Sequence, residues 1–380
     1  MNEHIVRIRG IDPLLFRDGR PFAAEVGALF ARTLPCPYPA TVTGFVRTFI
    51  GNQLGVNWDN KTDIQRVLRT IVHAPILERN NTPVFPAPAD AVVYHDEQSC
   101  SHKTMALRPI QELPAGAGCD LPKHLLPLRV TEEVKPSPGY TLWSQADLFR
   151  WLENPTGEGF AVPEPIDRME VEERTHVCIS EGGTSEEGKL FSAQFLSFER
   201  YRWGKDRAHR EEWALLARVV TEEAVKLEGV GLLGGEKRLA ALETVSADAW
   251  PSCPDSLQRA LQGAKRVRMV LATPAIFQNG WKPGWLNGKL EGSPPSANGL
   301  TLKLISAAVR RREAVSGWSY RADRPQPKPT RLLAPAGSVY FFEVLSGDPS
   351  VLGIQAWLQP VSDDEHDCRD GFGLALWGIW

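Results

Sequence analysis

The sequence is poor in the residues that would give it a quick chemical identity. Its six cysteines, Cys36, Cys100, Cys119, Cys178, Cys253 and Cys368, are scattered over 380 residues. Their spacing argues against a disulfide framework and fits a reducing cytoplasm. Cys100 lies close to His102, and Cys119 to His124, but neither spacing matches a common zinc module. The eight histidines include no His-Glu-x-x-His pair, and Gly-x-Ser-x-Gly is absent. No apolar run reaches the roughly 18 residues that would span a membrane. The start, Met1-Asn2-Glu3-His4, lacks a basic segment followed by an apolar one, so no secretory leader is expected. These absences predict a cytoplasmic chain with no cofactor, no metal and no membrane contact.

What is present is patterned charge. Hydrophobic residues make up 42% of the chain and the net charge is −3. A length of 380 residues exceeds one ordinary core and predicts two domains. Lys265 to Arg331 carries thirteen Lys or Arg against three acids. Glu153 to Glu187 carries ten acids against Arg168 and Arg174, and Glu343 to Asp370 seven against Arg369. A basic segment between acidic ones can take a polyanion on one face and a protein on another.

Periodicity places the elements. His4 to Ile11 reads as a strand, ended by Asp12-Pro13 and a loop through Arg17-Asp18-Gly19-Arg20 to Phe22. Behind three prolines, Val42, Phe45, Val46, Phe49, Ile50 and Leu54 fall on one helical face, with Gly55 as the stop. Thr41, Thr43 and Arg47 near the start of that helix make a candidate phosphate seat, or simply a capped helix. Pro75 to Pro138 is proline-rich and weakly periodic, and reads as an insertion. Leu142 to Leu152 and Pro254 to Gly263 read as short helices. Arg174 to Ile179, Leu190 to Trp203, Trp213 to Val220, Val267 to Thr273, Leu302 to Val309 and Val339 to Leu345 read as strands. The polar Lys205 to Glu212 marks a boundary, giving domains 1–205 and 206–380. Strands without regular βα alternation predict an α+β fold.

Three glycine or aromatic segments carry the candidate chemistry. Gly231 to Arg238 is not a nucleotide loop, since Gly-Lys-Ser/Thr is missing, and its Gly-x-Gly-x-x-Gly match lacks a βαβ frame. It reads as a turn (Gly234, Gly235) that sets Lys237 and Arg238 beside a ligand or partner. Trp281-Lys282 lies in a Pro/Gly loop and could stack on an unpaired base while contacting phosphate, or plug the core. The closing Gly371 to Trp380 places glycines among large apolar residues. Gly371 and Gly373 could present N–H groups to phosphate, or simply form a tight final hairpin. His4, His176 and Tyr201 could be drawn as a metal-free ribonuclease, but nothing in their spacing supports the drawing.

Several segments, taken in order, resemble one family. They are Asp12 to Phe22, Pro39 to Thr48, Glu186 to Phe191, Gly231 to Glu236, Thr273 to Phe277 with Gly280 to Pro283, Pro335 to Phe342, and Gly371 to Trp380. The chain is similar to the third subunit of the Cmr module, the type III-B CRISPR effector complex, within the repeat-associated mysterious proteins. The resemblance implies two ferredoxin-like (RNA-recognition-motif-like) domains with insertions and a closing glycine-rich loop. It implies a non-catalytic ribonucleoprotein role in antiviral defence: gripping the 5′ tag of CRISPR RNA and docking the large polymerase-like subunit beside other subunits. Arg17, Arg20, Thr41, Thr43, Arg47, Gly234, Gly235, Lys237, Arg238, Trp281, Lys282, Gly371 and Gly373 are the expected RNA-facing set, and Val92 to Pro138 a thumb. The alternative is a metal-independent endoribonuclease that matures CRISPR RNA.

Overall fold

The computed structural model describes residues 1–20, 29–113, 115–122, 124–154, 156–203, 208–319 and 326–380, with only the backbone given at 185–189 and 318–319. Pro21 and Phe22 of the first loop, and Lys205 of the expected boundary, lie outside the described residues. The chain is a strand-rich α+β protein and divides into two interleaved units. One takes Met1–Thr82, Arg168–Trp250 and Val315–Thr330. The other takes Pro83–Asp167, Pro251–Ala314 and Arg331–Trp380. A single cut at 205/206 is therefore corrected. Ala208–Thr221 is an apolar strand whose hydrogen bonds go to the N-terminal strand Asn2–Gly10, so the polar run before it marks a ribbon and not a border.

In the first unit, Asn2–Gly10 lies between Leu239–Val245 and Ala208–Thr221, and Ile71–Arg79 flanks the latter, all antiparallel. Gly229–Leu232 adds an edge beyond Leu239–Val245. Helix Pro39–Gln53 carries Val42, Phe45, Val46 and Ile50 on its buried side, as its spacing predicts. Gly229 and Gly231 are required beneath it: a Cβ on Gly231 would come 2.9 Å from Phe45, and on Gly229 3.1 Å from Phe49. The short helix Lys61–Leu68, which carries few apolar residues, escapes the periodicity reading. Its N-terminus is fixed by the Asn60 side chain accepting from the Thr62 and Asp63 N–H groups. Glu170–Ile179 and Ser185–Ser197 form a long hairpin, joined in parallel by Phe30–Ala31.

In the second unit, Arg266–Leu271 lies between Val339–Ser346 and Leu374–Ile379, and Thr301–Ala308 flanks Val339–Ser346. Most of the closing segment is thus a strand, paired along one side with Arg266–Leu271 and at its start with Gln359–Pro360, with Gly378 demanded by packing, since a Cβ there would lie 2.5 Å from the Leu152 carbonyl oxygen. Helix Gln145–Glu153 is capped by the Ser144 hydroxyl, which accepts from the Asp147 N–H. Trp143, Trp151 and Phe160 pack into an aromatic core, Trp143 stacked on Phe160 at 5.7 Å. Against it, Arg268 is wholly buried. Its Nη1 donates to Asp90 Oδ2 at 2.7 Å, its Nη2 to the Trp151 and Asn154 carbonyls, and its guanidinium lies 5.1 Å from the Trp151 ring centre. Asp90 Oδ1 accepts from Trp151 Nε1 at 2.9 Å.

Candidate nucleic-acid interface

The glycine segment of the first unit closes a hairpin between Gly229–Leu232 and Leu239–Val245. The Leu233 N–H donates to the Arg238 carbonyl at 3.0 Å. Gly234, Glu236 and Lys237 all have positive φ, at 79°, 58° and 50°. A left-handed backbone suits glycine but strains Glu and Lys, so the turn is held by what surrounds it. The Gly235 N–H donates to the Leu15 carbonyl at 2.8 Å, and a Cβ on Gly234 would sit 2.4 Å from that same oxygen. The turn is therefore docked, backbone to backbone, on the loop that follows the first strand.

That loop is anchored from below. Leu14 exchanges both backbone hydrogen bonds with Leu196 (2.9 and 2.7 Å), and the Phe16 N–H donates to Thr33 Oγ1 at 3.1 Å. Leu14, Leu15 and Phe16 are buried, which leaves Arg17 exposed at the rim. Arg20 donates through its N–H to Asp18 Oδ1 at 3.1 Å, with its guanidinium 3.3 Å from the same carboxylate. Under the turn, Arg238 lies over the Phe195 ring at 4.5 Å and Arg174 over the same ring at 5.4 Å. Arg174 grips Glu172 at 2.7 and 3.0 Å, which holds that carboxyl below its usual range. His176 stacks on Phe191 at 5.1 Å. Cation–π contact holds both guanidinium groups against one aromatic floor, Arg174 with its charge already met by Glu172.

The structure thus docks Gly234 and Gly235, with Lys237 and Arg238 after them in the same turn, on Leu15, two residues ahead of Arg17; Arg20 is held to Asp18. Arg174 and Phe195 were missed. Their signal was the alternation Glu172, Arg174, His176 along one strand opposite Phe191 and Phe195.

Other expectations are corrected. Thr43 and Arg47 are buried, and Arg47 donates Nε and Nη2 to the Thr70 carbonyl at 3.1 and 2.7 Å. Arg47 ties the helix to the start of strand Ile71–Arg79, and burial closes both side chains to a phosphate. Thr41 is half-buried, its N–H donating to the Tyr38 carbonyl at 2.9 Å. Gly371 and Gly373 are buried as well. Their turn gives its N–H groups to protein: Gly371 to the Cys368 carbonyl (3.1 Å), Phe372 to Asp367 (3.0 Å), Gly373 to Pro274 (2.8 Å), and Leu374 to Thr273 Oγ1 (2.9 Å). A phosphate cradle needs such groups unspent, so this turn is architectural.

Trp281 and Lys282 are half-buried in the second unit, and the Trp281 carbonyl accepts from the Tyr340 hydroxyl at 2.7 Å. Asp363 fixes their loop by accepting from the N–H groups of Gln278 and Gly284 at 2.8 and 2.7 Å.

Among the described residues no group of three or more His, Cys, Asp or Glu is placed to hold a metal ion. His102 instead packs its ring against His95 and Tyr140. His4, His176 and Tyr201 lie on three different strands. Among the described residues no helix is long and apolar enough to cross a membrane.

Fold and site together define a strand-rich α+β protein of two units, the first presenting a docked glycine turn rimmed by cations. Residues 6–380 match the model of a family described as CRISPR-associated protein (Cas_Cmr3), and the chain belongs to that family. No curated protein matches it. Two solved chains are similar in shape. One comes from a cryo-EM structure of the type III-B Cmr-beta bound to cognate target RNA and AMPPnP. It shows a TM-score of 0.49 at 15% identity, over 92% of this chain and 88% of that one. The other comes from the type III-B Cmr-beta bound to cognate target RNA, with a TM-score of 0.46 at 16% identity, over 89% and 86%.

Proposed function

We propose that this chain is a non-catalytic scaffold subunit of a type III-B CRISPR effector complex in the cytoplasm. In this reading it grips the 5′ tag of CRISPR RNA and docks the large polymerase-like subunit and its neighbours. Family membership supports the setting. The order of the four core strands in each unit, fourth beside first, first beside third, third beside second, supports reading both as ferredoxin-like domains of a repeat-associated mysterious protein.

The observation that carries the RNA assignment is the Gly234–Arg238 turn clamped on Leu15. In this reading the turn's Lys237 and Arg238 and the adjoining loop's Arg17 form a cationic rim, supported by the turn's bond to Leu15 and by Arg238 and Arg174 sharing the Phe195 ring. Single-stranded RNA is held by backbone phosphates and stacked bases, and such a rim supplies the phosphate half. The net charge of −3 implies modest affinity for the lone chain, with assembly linking several weak contacts.

The test is a titration of the chain, alone and with the large subunit, against tagged and tagless CRISPR RNA. Tag-dependent binding that strengthens with the partner, and falls in Lys237→Glu/Arg238→Glu and in Arg17→Glu/Arg20→Glu, is the expected outcome. Tag binding unchanged in both variants removes these residues from the site. RNA cleavage by the chain alone, abolished by His176→Ala, would make it the maturing endoribonuclease instead.

A further inference from the structure

The sheet of the first unit ends in an open edge. Gly229–Leu232 is the last strand of that sheet, bonded on one side to Leu239–Val245, and among the described residues no strand pairs with its other side. The alternation of an antiparallel ladder fixes which backbone groups are spare. The Leu233 N–H donates to the Arg238 carbonyl, and the Ile11 N–H to the Leu239 carbonyl. Gly229 and Gly231, in step with Leu233, therefore turn their N–H and C=O groups towards Leu239–Val245. Val230 and Leu232 turn theirs outward, away from the sheet.

The side chains at this edge are apolar and in the open. Gly229 and Gly231 lie against Phe49 and Phe45 of helix Pro39–Gln53. Val230 and Leu232 consequently stand on the opposite face, 54% and 58% exposed. Leu232 is directly opposite Leu239, which is exposed too, and the exposed Ile11 lies next to Leu239. Four large aliphatic side chains thus share one corner of the sheet. Protein edges are commonly blunted by Lys, by Pro or by a bulge. This one is short, but it carries no Lys or Pro and its register is unbroken.

We propose that this edge accepts an added β-strand from a neighbouring protein subunit, an extended segment with apolar side chains at alternate positions. Two outward N–H groups and two outward carbonyls at strand spacing call for a partner that offers acceptors and donors at the same spacing. A protein backbone does so, and its alternate side chains then meet Val230 and Leu232. Charge argues the same way. The pairs bordering the patch are matched within the chain, Lys226 with Glu228 at 2.7 Å and Arg9 with Glu243 at 2.9 Å. Aliphatic side chains beside matched charges suit a neutral apolar strand and give a polyanion nothing to hold. Size argues against a second copy of this chain, since a four-residue edge falls far short of the roughly 800 Å² per partner that a stable free-standing interface buries. The strand therefore belongs to a protein held beside this chain by further contacts. The inference rests on the reading of the chain as an effector-complex subunit, but concerns protein docking and not the tag.

The experiment follows hydrogen exchange, residue by residue, in the full chain alone, with CRISPR RNA, and in the complex reconstituted with the large subunit and its neighbours. The Val230 and Leu232 amides should exchange freely in the chain alone and slow about tenfold on assembly. The Gly229 and Gly231 amides, already bonded within the sheet, should change little. Val230→Lys/Leu232→Lys, at exposed positions that leave the core untouched, should lower incorporation into the complex about tenfold. Val230→Ile/Leu232→Val should assemble like wild type.

Free exchange at both amides in the complex, or normal incorporation of the lysine pair, would overturn the proposal. So would protection that appears with RNA alone, which would make the edge an RNA contact, or with rising concentration of the chain alone, which would make it a contact between copies. Failure of the tag reading is distinguishable, because tagged and tagless RNA would then bind alike while both amides still slowed on assembly.

Discussion

Replacing Asp90 by Asn is the sharpest test of how the second unit is built. Arg268 and Asp90 are both fully buried and bonded at 2.7 Å. Burial pushes the Arg268 guanidinium below its ordinary value, and the charge and hydrogen bond of Asp90 oppose that. Asn keeps an oxygen for Trp151 Nε1 but leaves the cation uncompensated in an apolar site. Breaking a buried pair in this way costs about 3–5 kcal/mol, a large share of a typical domain stability of about 5–15 kcal/mol.

Arg268→Met should cost a similar amount, since it strands the carboxylate and leaves the Trp151 and Asn154 carbonyls without their donor. The double variant removes both charges and keeps only the carbonyl loss, about 1–3 kcal/mol. The two singles should therefore sum to far more than the double, with a coupling of about 3 kcal/mol or more. Urea unfolding gives the global figure. Hydrogen exchange across strand Arg266–Leu271 gives the local one, which matters because two units need not unfold together. Additive single effects, or an Asp90→Asn variant within about 1 kcal/mol of wild type, would refute the claim that this pair organises the core.

Two further outcomes follow from the first unit. His73 is buried in strand Ile71–Arg79, and burial, with the Arg218 charge adding and Glu3 opposing, lowers its pKa from 6.5 to about 4. The unfolded chain then binds a proton that the folded one refuses, so stability should be full above pH 6.5 and fall by up to about 3 kcal/mol as the pH drops towards 4. A His73→Gln variant should lose less over that range in urea titrations, and an equal loss would exclude His73 as the cause. Gly234→Ala should detach the turn, because a positive φ costs about 1–3 kcal/mol before the contact with the Leu15 carbonyl is counted. Gly280→Ala, with open space around it, carries the φ strain alone. Equal stability of the two variants in thermal unfolding would mean that the turn is not clamped.

Much of the fold was legible where side chains repeat with a clean period. Helix Pro39–Gln53 announced itself through Val42, Phe45, Val46 and Ile50, and Val339–Ser346 through its β-branched and aromatic run. Strand Ile71–Arg79 was hidden by Pro75 and by burial of most of its length, which erases alternation. Leu374–Ile379 was masked by glycines that serve close packing against Leu152 and Ser362. Helix Lys61–Leu68 buries only Val67, and so has no stripe to read.

The site divided along similar lines. Glycine turns flanked by cations could be found in sequence, and the Leu15–Gly235 clamp put two of them together. Whether an arginine faces solvent could not be read. Arg17 and Arg47 look alike in sequence, yet one ends a buried run at a rim and the other satisfies a buried carbonyl. The pairing of Arg238 with Phe195 joins residues far apart in the chain, which no local pattern encodes.

The interleaving of the two units bears on how the chain is made. Asn2 pairs with Thr221, and Val267 with Ile379. A ribosome therefore releases the first strand long before its neighbours exist, and strand Arg266–Leu271 waits for the last strand described. Contacts so distant in sequence slow folding and leave apolar edges open meanwhile. Neither unit can be excised as one continuous fragment.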